Sequence, residues 1–212
     1  MSYLEIENYT KVIRQETILN HLTLSLEKGK IYGLYGRNGS GKTMLLRAIA
    51  GLIMPTEGFV KINDQIITKD VDFAPHTGIL IEHMNMLPYL SAKENLEGIA
   101  KIQKIASEED MIEALNAVGL DPQSKKRVFR YSLGMKQKLC LAQSFFEHQE
   151  LLLLDEPTNA LDEESVQRIM KLFESFKEEG RTLIIASHDR EFLESICDEI
   201  LPIKEGTIEK RH

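Results

Sequence analysis

A short glycine-rich run near the N-terminus has the residue types needed to hold phosphate. Residues 36–43 read G-R-N-G-S-G-K-T and fit the pattern G-x-x-x-x-G-K-[ST] at every fixed position. An apolar stretch precedes the run and apolar residues at helical spacing follow it, so the context is strand, loop and helix. Glycines let backbone N–H groups turn towards an anion, and the N-terminus of the helix adds partial positive charge. The phosphate-binding residues are expected to be Gly36, Arg37, Asn38, Gly39, Ser40, Gly41, Lys42 and Thr43. Within them, Lys42 should reach the β- and γ-phosphates and the Thr43 hydroxyl should ligate Mg²⁺.

Two adjacent carboxylates follow a second apolar run. Residues 151–154 are all leucine, and Asp155 and Glu156 come directly after them. A carboxylate at the carboxyl end of a buried strand beside the phosphate loop can hold Mg²⁺, which is the role predicted for Asp155. Neighbouring side chains on a strand point in opposite directions, so Glu156 is expected to face the water that attacks the γ-phosphate and to act as the general base.

The composition indicates one soluble α/β domain. The chain has 212 residues, of which 42% are hydrophobic, and this is enough for a single buried core. The formal net charge of −7 does not indicate the positively charged surface that binds a polyanion, so we do not expect nucleic acid as the main partner. The longest apolar run is too short for a membrane span and the N-terminus lacks a signal-peptide pattern, so a cytoplasmic location is expected. Cys140 and Cys197 lack C-x-x-C spacing, which favours reduced, packed thiols.

The hydrophobic pattern changes along the chain. The N-terminal third alternates apolar and polar residues and contains a turn at Asn63 and Asp64, which indicates antiparallel hairpins. Residues 91–117 have helical spacing and predict a helical subdomain, with one apolar face formed by Leu96, Ile99, Ile102 and Ile105. From residue 151 onwards, apolar strands alternate with helices, which indicates a parallel sheet.

With these motifs in this order, the chain resembles the ATP-binding subunits of ATP-binding cassette (ABC) transporters over essentially its whole length. The resemblance implies an α/β fold: a P-loop NTPase core with a mainly parallel sheet flanked by helices, and an N-terminal antiparallel β subdomain. A helical subdomain carrying the family's signature motif is expected at about residues 88–145. The whole chain, residues 1–212, would form a single ABC ATPase domain.

Further site residues come from the resemblance. Residues 131–137, Y-S-L-G-M-K-Q, are similar to the family signature L-S-G-G-Q and keep Ser132 and Gly134. In the family, the equivalent serine hydroxyl and glycine N–H reach the γ-phosphate of ATP held by another subunit, which implies a dimer that sandwiches ATP. Residues 159–162 are similar to the family's D-loop, which crosses that interface. His188 is similar to the family's switch histidine and is expected to sense the γ-phosphate.

Two positions depart from the family pattern. Glu82 stands where a glutamine is usual; it keeps an oxygen for Mg²⁺, and the alternative is a surface glutamate displaced from that position by one residue. Ile13 stands where an aromatic ring usually stacks on adenine, so nucleotide affinity is expected to be lower, by about 1 kcal/mol. Glu82 and the altered signature together resemble the bacitracin-resistance and lantibiotic-immunity exporters.

The resemblance implies a subunit that binds and hydrolyses ATP with Mg²⁺ and dimerises on ATP, either with itself or with a paired ABC subunit. It would drive a separate membrane-spanning subunit from the inner face of the membrane, exporting a peptide antibiotic or a similar amphiphile. One alternative is a soluble ABC ATPase that acts as an assembly factor or switch without a membrane partner. A regulatory module that no longer hydrolyses ATP is disfavoured, because Lys42, Asp155, Glu156 and His188 are all present.

Overall fold

The computed structural model of the protein describes residues 2–81 and 86–209. In chain order, the elements are β1 (Leu4–Ile13), β2 (Glu16–Leu26), β3 (Ile31–Tyr35), α1 (Lys42–Ala50), β4 (Glu57–Ile62), β5 (Gln65–Ile66), β6 (Thr77–Leu80), α2 (Ala92–Gln103), α3 (Glu108–Ala117), a 3₁₀ turn (Val128–Arg130), α4 (Leu133–Phe145), β7 (Leu151–Asp155), α5 (Glu163–Glu178), β8 (Thr182–Ser187), α6 (Arg190–Ile196), β9 (Glu199–Lys204) and β10 (Thr207–Ile208).

The N-terminal strands form an antiparallel sheet in the order β2-β1-β4-β5. Two-residue loops close both of its hairpins. Arg14 and Gln15 join β1 to β2 with φ of 48° and 70°, and Asn63 and Asp64 join β4 to β5 with φ of 47° and 63°. Positive φ at both central residues is what the type I′ turn of a tight hairpin requires. The predicted antiparallel subdomain and its Asn63–Asp64 turn are therefore confirmed.

The second sheet has the order β10-β9-β3-β8-β7-β6 and is mainly parallel. Strands β6, β7, β8, β3 and β9 run in the same direction, and β10 pairs antiparallel to β9. Strand β8 is buried throughout, and all of β7 up to its last residue is buried, as expected for strands covered on both faces. Because the strands are parallel, the carboxyl ends of β3, β7 and β8 lie side by side at one edge.

The second sheet separates two hydrophobic cores. Leu34, Leu153 and Ile184 pack with α1 and the antiparallel sheet on one face. Leu154 and Ile185 pack with helices α2 to α6 on the other face. Successive residues of these strands face opposite cores, because side chains alternate along a strand with a period of two residues. A strand between two cores therefore needs apolar residues in succession. The expected helices on the sheet faces are thus confirmed.

The helical part packs against the second sheet through α4, with α3 packed on α4 and α2 on α3. Capping boxes at Ser91 and Ser107 begin α2 and α3. The apolar face predicted for residues 96–105 is only partly correct. Leu96 is buried, but Ile102 is 79% exposed, and Ile105, which is 53% exposed, lies beyond the end of α2. The assignment of one domain with a helical subdomain at about residues 88–145 stays a prediction.

Cys140 and Cys197 are not joined in a disulfide. Burial raises the pKa of the Cys197 thiol to about 12, so this thiol is not a reactive thiolate at neutral pH. Across residues 2–81 and 86–209, we find no helix with the length and apolar content needed to cross a bilayer.

Candidate active site

The glycine-rich loop connects the carboxyl end of β3 to the N-terminus of α1, the position that the sequence predicts. Gly41 immediately precedes α1 and has φ of 107°, a conformation that side-chain-bearing residues rarely adopt. A Cβ on Gly36 would lie 2.4 Å from the carbonyl oxygen of Ile203 and 2.5 Å from Ser40 Oγ. The loop therefore requires glycine at both positions. Gly41 is needed for the backbone conformation, and Gly36 is needed because a side chain there would clash.

Two polar side chains of the loop are buried inside it. Lys42 is 6% exposed, and its Nζ donates to the carbonyl oxygens of Gly36 at 2.7 Å and Arg37 at 3.3 Å. Ser40 Oγ is buried and has no hydrogen-bond partner in the part of the chain that the structure describes. Buried hydroxyls are normally paired, so an unpaired one in a loop rich in N–H donors suits an anionic ligand.

A cavity of about 550 Å³ opens beside this loop. Its lining contains these predicted site residues: Ile13, Asn38, Gly39, Ser40, Gly41, Lys42, Thr43, Asp155 and Glu156. Gly36 and Arg37 lie on the other side of the loop, where they line a neighbouring cavity with Pro202 and Ile203.

The sequence-based site did not include Glu16, Ile18 and Met44, which also line the 550 Å³ cavity, and Arg14 was not assigned a role. Arg14, Glu16 and Ile18 come from the β1–β2 hairpin. No local motif marks these three residues, because only the packing of the antiparallel sheet against the loop brings them there.

Thr43 and Asp155 meet at the base of the cavity. Thr43 Oγ1 donates to Asp155 Oδ2 at 2.5 Å, which joins the first turn of α1 to the end of β7. A hydroxyl and a carboxylate oxygen are hard ligands, and Mg²⁺ takes few such protein ligands alongside phosphate oxygens and water. No cluster of three or more histidine, cysteine or acidic residues that could hold a metal by itself occurs within residues 2–81 and 86–209. The oxygen pair fits Mg²⁺ bound together with a nucleotide.

Glu156 lies next to this pair, directly after β7. Its backbone has φ of 48°, and it lies outside the strand, which ends at Asp155. The alternation of side chains along a strand therefore does not set the direction of Glu156, and this part of the prediction is wrong. Both Asp155 and Glu156 line the same cavity. The left-handed backbone conformation lets successive carboxylates face one site.

His188 holds the carboxylate of Glu156. Glu156 Oε1 accepts a hydrogen bond from the His188 backbone N–H at 3.0 Å and lies 2.8 Å from His188 Nδ1. Ser187 Oγ donates to Glu156 Oε2 at 3.3 Å. The first residue after β8 thus orients the carboxylate at the end of β7, a relation that the sequence did not predict.

Ser132 and Gly134 lie away from the cavity of their own chain. Ser132 is exposed and caps α4, accepting a hydrogen bond from the Met135 N–H at 3.2 Å. Gly134 faces the loop of residues 159–162: a Cβ on it would lie 2.7 Å from the carbonyl oxygen of Ala160. Within one chain, the structure does not bring these two residues to the phosphate loop.

Gln137 links the same helix to the carboxylate site. Its Nε2 donates to the carbonyl oxygens of Glu156 and Pro157, both at 3.1 Å. Gln137 has no predicted role of its own, although it stands at the glutamine of the signature pattern. The other predicted Mg²⁺ ligand, Glu82, lies outside the described residues.

A comparison with protein-family models matches residues 19–159 to the family described as ABC transporter. The chain belongs to this family. An uncharacterized ABC transporter ATP-binding protein of Bacillus subtilis (strain 168), YybJ, is 46% identical over 206 residues, covering 97% of this chain and 94% of the relative. Most of the matched stretch lies between the β1–β2 hairpin and the D-loop, so it contains the phosphate loop, the signature stretch and both carboxylates.

Two further relatives have names that describe transport. The bacitracin transport ATP-binding protein BcrA of Bacillus licheniformis is 37% identical, covering 94% of this chain and 66% of the relative. The lantibiotic transport ATP-binding protein SrtF of Streptococcus pyogenes is 37% identical, covering 97% of this chain and 88% of the relative. The similarity to bacitracin and lantibiotic transport ATPases predicted from the sequence is confirmed.

Among solved structures, the dimeric structure of MJ0796, described as a bacterial ABC transporter cassette, has a TM-score of 0.87 and 25% identity. The match covers 98% of this chain and 97% of that one. The predicted fold class is therefore confirmed. As a member of this family, the protein is an ATP-binding ATPase.

Proposed function

We propose that this ABC ATPase binds ATP in the 550 Å³ cavity and hydrolyses it with Glu156 as general base. The observation that carries the proposal is that the Glu156 carboxylate lines the same cavity as Lys42 and Thr43 and is held there by His188. A carboxylate beside the site of the terminal phosphate can accept a proton from an attacking water.

The proposed reaction is an in-line phosphoryl transfer to water. The water oxygen forms a bond to the γ-phosphorus, the bond from that phosphorus to the β–γ bridging oxygen breaks, and ADP leaves with the electron pair. Glu156 takes the proton of the water, and Lys42 and the loop N–H groups stabilise the negative charge on the phosphate oxygens. His188 orients Glu156 and, as the resemblance implies, contacts the γ-phosphate.

Thr43 and Asp155 would hold Mg²⁺ in this scheme. When bound, the cation neutralises charge on the phosphate oxygens. The short contact between Thr43 Oγ1 and Asp155 Oδ2 supports this assignment, because it already brings one hydroxyl and one carboxylate together. Glu82 is proposed as a third oxygen ligand on the resemblance alone.

We further propose that two chains sandwich ATP, either two copies or this chain and a paired ABC subunit. Ser132 is exposed at the N-terminus of α4, so its hydroxyl can reach a second molecule. The helix supplies partial positive charge and N–H groups, including that of Gly134, in the direction of an anion. The dimeric cassette with the same fold supports this arrangement.

The printed names of BcrA and SrtF support a role in the export of a peptide antibiotic or a similar amphiphile. The protein would act at the inner face of the membrane, on a separate membrane-spanning subunit. The formal charge of −7 argues against nucleic acid as an alternative partner.

Glu156→Gln tests the proposed base. The amide keeps the size of the side chain but cannot accept the proton, so kcat should fall by about 10²-fold or more while ATP still binds. The ATP-bound dimer should become more stable, which size-exclusion chromatography with ATP would detect. Glu174→Gln, an exposed position on α5, is the matched control and should leave kcat unchanged. Wild-type hydrolysis by the Glu156→Gln variant would refute the assignment.

A separate experiment distinguishes the transporter subunit from the soluble alternative. The chain is purified from membranes and from the soluble fraction of its source, with crosslinking in both. Recovery of a complex with a membrane protein of several apolar helices, with ATP hydrolysis that responds to it, supports the proposal. Recovery of soluble partners alone, with no membrane-bound pool, would favour an assembly factor.

A further inference from the structure

A further cavity lies at the amino ends of the parallel strands, opposite the carboxyl ends that carry the phosphate loop. It has a volume of about 370 Å³ and extends from the amino end of β6 to the segment that follows α4. Its lining residues are Asp72, Phe73, Ala74, Pro75, His76, Thr77, Gln103, Ile105, Glu147 and Gln149. None of the residues proposed for ATP hydrolysis lines it.

Glu147 places a buried carboxylate in this cavity. The residue is only 9% exposed, and its Oε1 is buried without a hydrogen-bond partner in the described part of the chain. Burial raises the pKa of Glu147 above the ordinary value for a glutamate. Because the oxygens of buried carboxylates are normally paired or hydrogen-bonded, a buried carboxylate oxygen without a partner beside a cavity is unusual.

The charge of the lining favours a cation. Asp72 and Glu147 are acidic, His76 is the other titratable group, and lysine and arginine are absent from the described lining residues. The acidic and histidine residues here do not form one of the three-residue groups that could hold a metal ion, and no such group occurs elsewhere in residues 2–81 and 86–209. An organic cation with several N–H donors suits this lining better than a bare metal ion.

The rim of the cavity is apolar and exposed. Phe73 is 61% exposed and Ile105 is 53% exposed, and both line the cavity. Ile102, on the last turn of α2, is 79% exposed. Hot spots of protein–protein interfaces lie in desolvated pockets, and arginine is one of the residues enriched there. The stem of an arginine packs on apolar groups, and its planar guanidinium pairs with a carboxylate.

We propose that this cavity is a docking site for an arginine side chain of a partner polypeptide, with Glu147 as the anchor and Phe73 and Ile105 as the rim. The guanidinium would donate to the unpaired carboxylate oxygen, and the arginine stem would lie against Phe73 and Ile105. The inference goes beyond ATP hydrolysis and does not depend on it.

The probe is the blocked tripeptide N-acetyl-Leu-Arg-Leu-amide, and its matched control replaces arginine with the neutral isostere citrulline. Binding to the full chain is followed by amide chemical shifts of His76, Thr77 and Gln149. The arginine peptide should bind about tenfold tighter than the citrulline peptide. Glu147→Gln should remove this preference, and the exposed control Glu174→Gln should keep it. ATP hydrolysis by Glu147→Gln should equal that of the wild type, which also shows that the variant is folded.

Phe73→Ala provides a second test that leaves the buried carboxylate in place, and it should weaken the arginine peptide several-fold. Equal binding of both peptides, a preference that persists in Glu147→Gln, or shifts confined to other residues would overturn the proposal. So would an absence of shifts at about 10 mM peptide. Since ATP hydrolysis is measured separately, loss of peptide binding with normal hydrolysis would refute the docking site and leave the proposed function standing.

Discussion

Replacing Gly134 with alanine separates two explanations for this glycine. The resemblance explains Gly134 by its backbone N–H, which alanine also has. The structure adds a steric reason, because a Cβ at this position would lie 2.7 Å from the carbonyl oxygen of Ala160. A relaxed carbon–oxygen contact is about 3.3 Å or longer, so the helix and the loop of residues 159–162 must separate by roughly half an ångström or more.

The expected cost follows from this overlap. Forcing an extra carbon into a packed site typically lowers the free energy of unfolding by about 1–3 kcal/mol. The higher helix propensity of alanine offsets at most about 1 kcal/mol of this loss. For a chain of this length, each kcal/mol changes Tm by about 2–4 °C. We therefore expect Tm to fall by a few degrees in Gly134→Ala and ATP hydrolysis to fall at least about tenfold, because the displaced loop would no longer fit the proposed dimer interface.

Gly98 provides the matched control. It also lies in a helix, α2, but a Cβ there would have no heavy atom within 4 Å. Gly98→Ala should raise Tm by a few degrees at unchanged ATP hydrolysis. Thermal unfolding and a steady-state ATPase assay are measured on both variants. If Gly134→Ala raises Tm as much as Gly98→Ala does and hydrolyses ATP at the wild-type rate, the steric explanation is wrong.

Three further predictions concern separate parts of the molecule. In Glu147→Gln, the free energy of unfolding in urea should match that of the wild type at pH 4 and exceed it at pH 8. Burial raises the pKa of the Glu147 carboxyl in the folded state, so the ionised carboxylate destabilises the folded wild type above the unfolded-state pKa. Equal stability at pH 8 would contradict this. Ile13→Tyr should tighten ATP binding about fivefold in a nucleotide titration, since a stacked ring is worth about 1 kcal/mol; unchanged affinity would refute the adenine contact. Thr43→Val keeps the shape of the side chain but removes the donor to Asp155, so hydrolysis at limiting Mg²⁺ should fall about tenfold or more, and an unchanged Mg²⁺ dependence would exclude this ligand.

The β1–β2 hairpin shows where the sequence-based prediction of the site stopped. The place of the glycine-rich loop between a strand and a helix could be predicted because its glycines, lysine and threonine form one continuous segment. Arg14, Glu16 and Ile18 line the same cavity, yet they lie far from the loop in sequence and follow no local pattern. Their position depends on the packing of one sheet against the other.

The carboxylate pair shows a second limit. The place of Asp155 and Glu156 after an apolar run predicts both as site residues. Strand alternation does not explain the direction of the Glu156 side chain, however, because Glu156 lies beyond the end of the strand. The positive φ of Glu156 and its contacts with His188 orient the second carboxylate. These contacts join the ends of neighbouring parallel strands, β7 and β8, whose pairing is long-range.

The sequence by itself determined the family and the fold class, and it marked the candidates for phosphate binding and the paired carboxylates, because each of these follows from a local pattern. Only the tertiary structure decided which side chains share a cavity, that Glu156 is held by His188, and that Gly134 faces the carbonyl of Ala160. It also decided that Oε1 of Glu147 is buried with no hydrogen-bond partner among the described residues. These features come from contacts between segments far apart in the chain. Their energies depend on distance and burial, which are set when the sheets and helices pack.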